Sequence, residues 1–170
     1  MRIISNTSPL IFLAKINCLE LLDYYEIVIP SEVKNEILKG KEQEKEDAYV
    51  LEQMISTGKI RVKQITIIKT LERANIDLGE KETISLATVE NIKNVLLDER
   101  KARNIAKMLG LEPHGTIWIL FQALKRNKMN KKELENKIFE LIEKGYRIKE
   151  ELLLEILRRI HSEHSSSTNE

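Results

Sequence analysis

Four short apolar runs, each followed by a longer segment with helical periodicity, limit this chain to a narrow set of folds. The runs are "RIIS" (2–5), "EIVIP" (26–30), "IRVKQI" (60–65) and "VLLD" (95–98). Strands that alternate with helices build a parallel sheet with helices on its faces, so the fold class is α/β. "VLL" is apolar without interruption, as a central parallel strand buried on both sides should be. "LEPHGT" (111–116) reads as a short link or a weak fifth strand, so the sheet has four to five strands. Parallel strands all point one way, which gathers the residues just past their carboxyl ends along a single edge.

The helical segments carry their own boundary signals. Thr7 or Ser8 can cap the first helix, Pro9 suits its first turn, and Leu10, Ile11, Leu13 and Ala14 supply its apolar side. Ser31 is the expected cap of "EVKNEILKG", with Gly40 as its stop, and a helix over 41–57 closes at Gly58. Gly79 introduces "EKETISLATVE", and Gly110 ends "ERKARNIAKML". "IWILFQALKRN" is a strongly apolar helix that should place Trp118 and Phe121 in the core. Beyond residue 127 the pattern is helical only. Leu134, Ile138 and Leu141 face one way on one segment and Leu153, Ile156, Leu157 and Ile160 on the next, an antiparallel pair joined at Gly145-Tyr146. That pair either covers the core or forms a dimer seam. The expected organisation is an α/β domain over 1–125, a helical pair over 126–163 packed on it, and a disordered tail over 164–170 that has nothing to bury.

Bulk composition excludes several classes of function. A chain of 170 residues with 42% hydrophobic content suits one core. Its 28 basic and 27 acidic side chains leave a net charge of +1, so any nucleic-acid recognition must come from a local patch. The single cysteine, Cys18, rules out an internal disulfide and a cysteine-rich zinc site. No apolar run approaches the roughly 20 residues of a membrane span, and no secretory core opens the chain, so a cytoplasmic protein is expected.

Position selects among the many acids. Asn6 and Asp98 directly follow the first and fourth strands, Glu36 lies in the helix after the second, and Glu80 opens a helix behind Gly79. Grouped carboxylates repel one another and suit a hard divalent cation, magnesium or manganese, able to ionise water and stabilise a phosphodiester under attack. Each residue also has a plainer reading. Glu36 could pair with Lys34 or Lys39 on an exposed face, Glu80 could serve its helix dipole, and Asp98 could cap the next helix. Glu82 points to a different helix face, His114 reads as a turn residue, and Cys18 as a small buried apolar one.

"SNTSPLIFLAKI", "IPSEVKNEI", "LGEKETISLA" and "VLLDERKARNIAKMLGLEPHGT" together resemble the PIN-domain proteins, in the archaeal and bacterial branch related to VapC toxin ribonucleases. The resemblance runs from residue 1 to about 160. It implies a three-layer α/β/α arrangement and a magnesium- or manganese-dependent endoribonuclease site at the strand ends. It further implies single-stranded or structured RNA as substrate, a small antitoxin protein as partner, and a homodimer. The four acids of that family fall on Asn6, Glu36, Glu80 and Asp98 as catalytic and metal-binding positions, with Thr7 or Ser8 in support. Arg100, Lys101 and Arg103, with Lys107, could meet backbone phosphates. Asn6 departs from the family's expected aspartate and removes one negative charge. A weakened nuclease, a catalytically inactive RNA- or protein-binding module, and a deliberate inactivating replacement are all compatible with it.

Overall fold

The computed structural model describes residues 1–43 and 45–162. Its strands are β1 (Arg2–Ser5), β2 (Glu26–Pro30), β3 (Ile60–Lys63), β4 (Asn94–Leu96) and β5 (Glu112–His114). They form one sheet in the order β3-β2-β1-β4-β5, and every neighbouring pair is parallel. The helices are α1 (Thr7–Lys15), α2 (Ser31–Glu42), α3 (Glu46–Ser56), α4 (Leu78–Val89), α5 (Arg100–Met108), α6 (Thr116–Lys125), α7 (Lys131–Glu143) and α8 (Glu150–Ser162). The expected α/β class with a parallel sheet flanked by helices is therefore what the chain forms, and the weak fifth strand is present. No helix among the described residues is long and apolar enough to cross a membrane.

The described chain divides into two compact units, Met1–Ile119 and Leu120 onward. In the first, the central strands are buried on both faces: Ile3, Ile4, Ile27, Ile29, Val95 and Leu96 have at most 2% of their surface exposed. β-branched residues suit such doubly covered strands. On one face Ile4, Val28, Val95 and Leu97 pack with Ile84 and Ala87 of α4 and with Ala102 and Ala106 of α5. Ala102 and Ala106 are one helical turn apart, so their small side chains let α5 lie close to the sheet. Trp118 is only half-buried, stacked on His114 at 4.0 Å between ring centroids and tilted against Tyr25 at 5.9 Å.

In the second unit Leu134, Ile138, Leu141, Ile156 and Ile160 of the expected stripes are buried, Leu153 and Leu157 are half-buried, and Phe121 is covered by the Arg159 guanidinium at 4.8 Å. His161 Nε2 meets Glu135 Oε2 at 3.3 Å, joining the end of α8 to the start of α7 as an antiparallel pair requires. The tail expected to be disordered, 164–170, lies outside the described residues.

Three boundary expectations are corrected. Asn6, not Thr7 or Ser8, occupies the cap position of α1, with extended φ −80 and ψ 172, and both hydroxyl residues fall inside the helix. Ser31 is likewise the first residue of α2, and Pro30 takes the cap position. Gly40 does not stop α2, which continues to Glu42. An added Cβ at Gly40 would lie 3.2 Å from the Ala48 Cβ, so this glycine permits the close approach of α2 and α3. Gly58, Gly110 and Gly145 do end their helices, with φ of +77, +78 and +93.

Candidate functional site

The order of the sheet locates the site. From β1 the chain steps outward through β2 to β3, then returns to the other side of β1 to lay down β4 and β5. Direction therefore reverses between β1 and β4, and the crevice beyond the carboxyl ends of those two strands is where open α/β sheets bind ligands. Asn6 is the first residue past β1, and its N–H donates to the Leu96 carbonyl at 3.0 Å. Asp98 stands two residues past β4, after Leu97 has donated to the His114 carbonyl at 2.8 Å. The two residues thus flank the crevice from adjacent strands.

Asp98 is held by three donors. Its Oδ1 accepts from the Thr116 N–H at 2.8 Å, and its Oδ2 accepts from the Thr116 hydroxyl at 2.8 Å and the Ser8 hydroxyl at 3.2 Å. The carboxylate ties together the segments that follow β1, β4 and β5 and satisfies the first N–H of α6; it does not cap α5, where Glu99 takes the cap position. Ser8 and Thr7, adjacent at the start of α1, serve different acids. The Thr7 hydroxyl donates to Glu36 Oε2, a short contact that orients the carboxylate from α2 toward the sheet edge.

The other oxygen of Glu36 points at Gly79. A Cβ added there would lie 2.7 Å from Glu36 Oε1 and 3.0 Å from Asn6 Oδ1, so any larger residue at position 79 would enter the space the two oxygens share. Asn6 is 9% exposed, and its Oδ1 is buried with no hydrogen-bond partner. An orphaned buried acceptor carries a desolvation penalty of about 1–3 kcal/mol. Next to Gly79, Glu80 is 4% exposed and turns back on its own helix, where its Oε2 accepts the Asp77 N–H at 3.0 Å as half of a capping box.

The electrostatics of these acids are linked. Burial pushes the Glu36 carboxyl above the ordinary glutamate value; the Thr7 hydrogen bond opposes this, while the charges of Glu32 and Asp77 reinforce it. Burial also raises Glu80, against the Asp77 backbone hydrogen bond and with the charges of Asp77, Glu99 and Glu36. Ionising either glutamate is thus made harder by burial and by like charge together.

The four residues selected from the sequence therefore stand at one sheet edge in different states. Asn6 and Glu36 turn oxygens to a common space over Gly79, while Glu80 and Asp98 spend oxygens on protein donors. Among the described residues no three acidic, histidine or cysteine side chains are grouped as around a single metal ion. A hard divalent cation nevertheless fits the donor chemistry: an orphaned amide oxygen, an adjacent carboxylate oxygen, and buried acids whose mutual repulsion a cation would relieve. Hydrogen bonds from Thr7, Ser8 and Thr116 are the kind that orient metal-binding carboxylates.

Among the other candidates, Glu82, His114 and Cys18 have structural roles. Glu82 accepts the Glu32 N–H at 2.8 Å and so satisfies the start of α2. His114 lies in β5, not in a turn, with Nε2 3.0 Å from Asn94 Oδ1; burial lowers its pKa. Arg100 and Lys101 are exposed on α5, as is Lys107, and Arg103 is half-buried. Cys18 is buried, its thiol directed at the Ile16 carbonyl. Sequence reasoning missed Thr116, Asp77 and the constraint on Gly79. Thr116 was discoverable, since it sits at a strand-to-helix junction as Asn6 and Asp98 do.

A family model described as "PIN domain" matches residues 2–162. Among solved structures the chain is similar to a PilT N-terminus domain protein from the hyperthermophilic archaeon Sulfolobus solfataricus P2. The TM-score is 0.52 at 19% identity, over 73% of this chain and 94% of that one, a likeness of fold. No protein among those with curated function matches significantly. With the parallel sheet, its strand-edge acids and a match over nearly its whole length, the chain belongs to the PIN-domain family.

Proposed function

We propose that this chain is a metal-dependent endoribonuclease of the PIN class whose site is weakened by Asn6. The observation that carries the reading is the pairing of the orphaned Asn6 Oδ1 with Glu36 Oε1 over Gly79, at the switch point of the sheet. Asn6 and Glu36 would hold a magnesium or manganese ion there, with Glu80 and Asp98 supplying the negative potential that favours it. When bound, such an ion supplies Lewis acidity toward a phosphodiester and lowers the pKa of water. Thr7 and Ser8 fix the carboxylates of Glu36 and Asp98, and Thr116 fixes Asp98 from the far side. Arg100, Lys101 and Arg103 lie on α5, immediately after Asp98, and are suited to backbone phosphates of single-stranded or structured RNA. A toxin role with a small antitoxin, and a homodimer, follow from the family resemblance and extend the same reading.

A second reading is a catalytically inactive RNA- or protein-binding module. It is favoured by the missing charge at Asn6 and by the lack, among the described residues, of three grouped acids. One experiment separates the two: mixed RNA is incubated with the protein, its Asn6→Asp variant and its Asp98→Ala variant, in manganese or in EDTA. Manganese-dependent cleavage by the protein, lost in Asp98→Ala, rules out the inactive module. Failure of both the protein and Asn6→Asp to cleave rules out the nuclease.

A further inference from the structure

The connection between α6 and α7 concentrates positive charge in a chain that has almost none to spare. Across residues 125–132, "KRNKMNKK", there are five cations, Lys125, Arg126, Lys128, Lys131 and Lys132, and no acid, while the whole protein carries a net charge of +1. All but Lys131 are exposed. The segment is also held in one shape at both ends. Asn127 adopts φ of +55, and the Lys128 N–H returns to the Ala123 carbonyl at 2.9 Å, closing α6. At the other end Asn130 and Glu133 form a reciprocal capping box, at 2.9 and 2.7 Å, that opens α7.

Between these two closures is a recess of about 460 Å3, lined by Lys128, Met129, Asn130, Lys131 and Glu133 among others, with one Glu133 carboxylate oxygen already taken by the Asn130 N–H. The Lys131 ammonium is withdrawn from solvent and has no hydrogen-bond partner. An ammonium without a partner gains charge-assisted hydrogen bonds when an anion is placed against it. Lys131 is also the first residue of α7, where the helix dipole favours negative charge. The recess, the orphaned ammonium and the surrounding cations therefore ask for the same thing: an extended polyanion that places one phosphate in the recess and its neighbours against the flanking lysines.

We propose that the 125–132 segment is a docking surface for the phosphate backbone of single-stranded RNA. The inference rests on the ribonuclease reading for its choice of polyanion, and it adds a substrate-holding element away from the strand-edge acids in sequence. Fixed cations on a preformed turn hold a flexible strand without reading its bases, so binding is insensitive to sequence and sensitive to salt.

The test is fluorescence anisotropy of a labelled 20-nucleotide RNA of mixed sequence, titrated with the full chain in EDTA, where cleavage plays no part. The Lys128→Gln/Lys131→Gln/Lys132→Gln variant is compared with Lys45→Gln/Lys93→Gln/Lys144→Gln, which removes equal charge from exposed positions elsewhere. Losing three phosphate contacts should weaken binding on the order of 10- to 100-fold at 0.1 M salt and flatten the log–log salt slope by about 2. The control variant should stay within a few-fold of the protein. Circular dichroism melts verify that both variants fold, and single Lys131→Gln serves if the triple variant does not. Equal weakening by the two sets, no weakening by the first, or tighter binding to phosphatidylserine vesicles than to RNA overturns the proposal. Cleavage assays fail or succeed independently of this readout, so the docking surface and the nuclease reading are judged apart.

Discussion

Substituting Gly79 by alanine should weaken this protein, although glycine-to-alanine changes in helices ordinarily strengthen them. Gly79 is the second residue of α4, where alanine would contribute at most about 1 kcal/mol through helix propensity. The new methyl group would stand 2.7 Å from Glu36 Oε1 and 3.0 Å from Asn6 Oδ1. Ordinary carbon–oxygen contacts begin near ~3.3 Å, so the Glu36 carboxylate must move by roughly half an ångström or more. That displacement strains the hydrogen bond from Thr7, a charge-assisted bond worth about 1.5–3 kcal/mol. The balance is a net loss of about 0.5–2 kcal/mol, read as a lower urea midpoint in EDTA. Manganese titration followed by electron paramagnetic resonance should show weaker binding as well, because the methyl occupies the space between the two oxygens. A variant stabilised by about 1 kcal/mol, with manganese binding unchanged, would refute the view that Gly79 exists to admit those oxygens.

Asn6→Asp restores a charge beside Glu36, where two unit charges about 4 Å apart interact by roughly 4 kcal/mol at an effective dielectric of 20. After desolvation, manganese affinity by calorimetry should rise about 10- to 100-fold, while stability in EDTA falls; unchanged affinity argues against Asn6 as a ligand. Glu36 and Glu80 are both raised above their ordinary value of 4.5, so the folded state resists their ionisation. Their destabilising effect is fully present above the raised values and disappears as pH falls toward 4.5. In EDTA the urea midpoint should therefore increase on mild acidification, and Glu36→Gln/Glu80→Gln should flatten that dependence; an identical profile in the variant contradicts the assignment. Thr116→Val removes the 2.8 Å hydroxyl bond to Asp98 and keeps the backbone one. The expected cost is about 1.5–3 kcal/mol by urea unfolding, and a neutral result would mean the Thr116 hydroxyl contributes nothing to holding Asp98.

The edge of the sheet was legible in the sequence because strand ends are marked by abrupt changes in polarity. "RIIS" followed by Asn6 and "VLL" followed by Asp98 place two side chains without any knowledge of packing. Glu36 and Glu80 were selected less directly, through the helices that carry them, since helical periodicity sets a face but not what the face meets. The hydroxyl residues were misread for a physical reason. Ser and Thr are good caps only in the one position with extended backbone, and that position is taken by Asn6, which leaves Thr7 and Ser8 free to reach Glu36 and Asp98. Gly40 and Gly79 show the limit of reading glycine as punctuation. Neither ends a helix, and each is small because a side chain of another helix, Ala48 in one case and Glu36 in the other, approaches it.

The bond between Ser8 and Asp98 joins residues 90 positions apart. Strand β4 must slot beside β1, on the side opposite β2 and β3, before the crevice has its second wall. Closing so long a loop is slow compared with forming local helices. During synthesis, a chain that has exposed only its first ninety residues holds Asn6 and Glu36 but no Asp98 to face them. Any function of this edge that needs Asp98 therefore waits until the chain extends beyond β4.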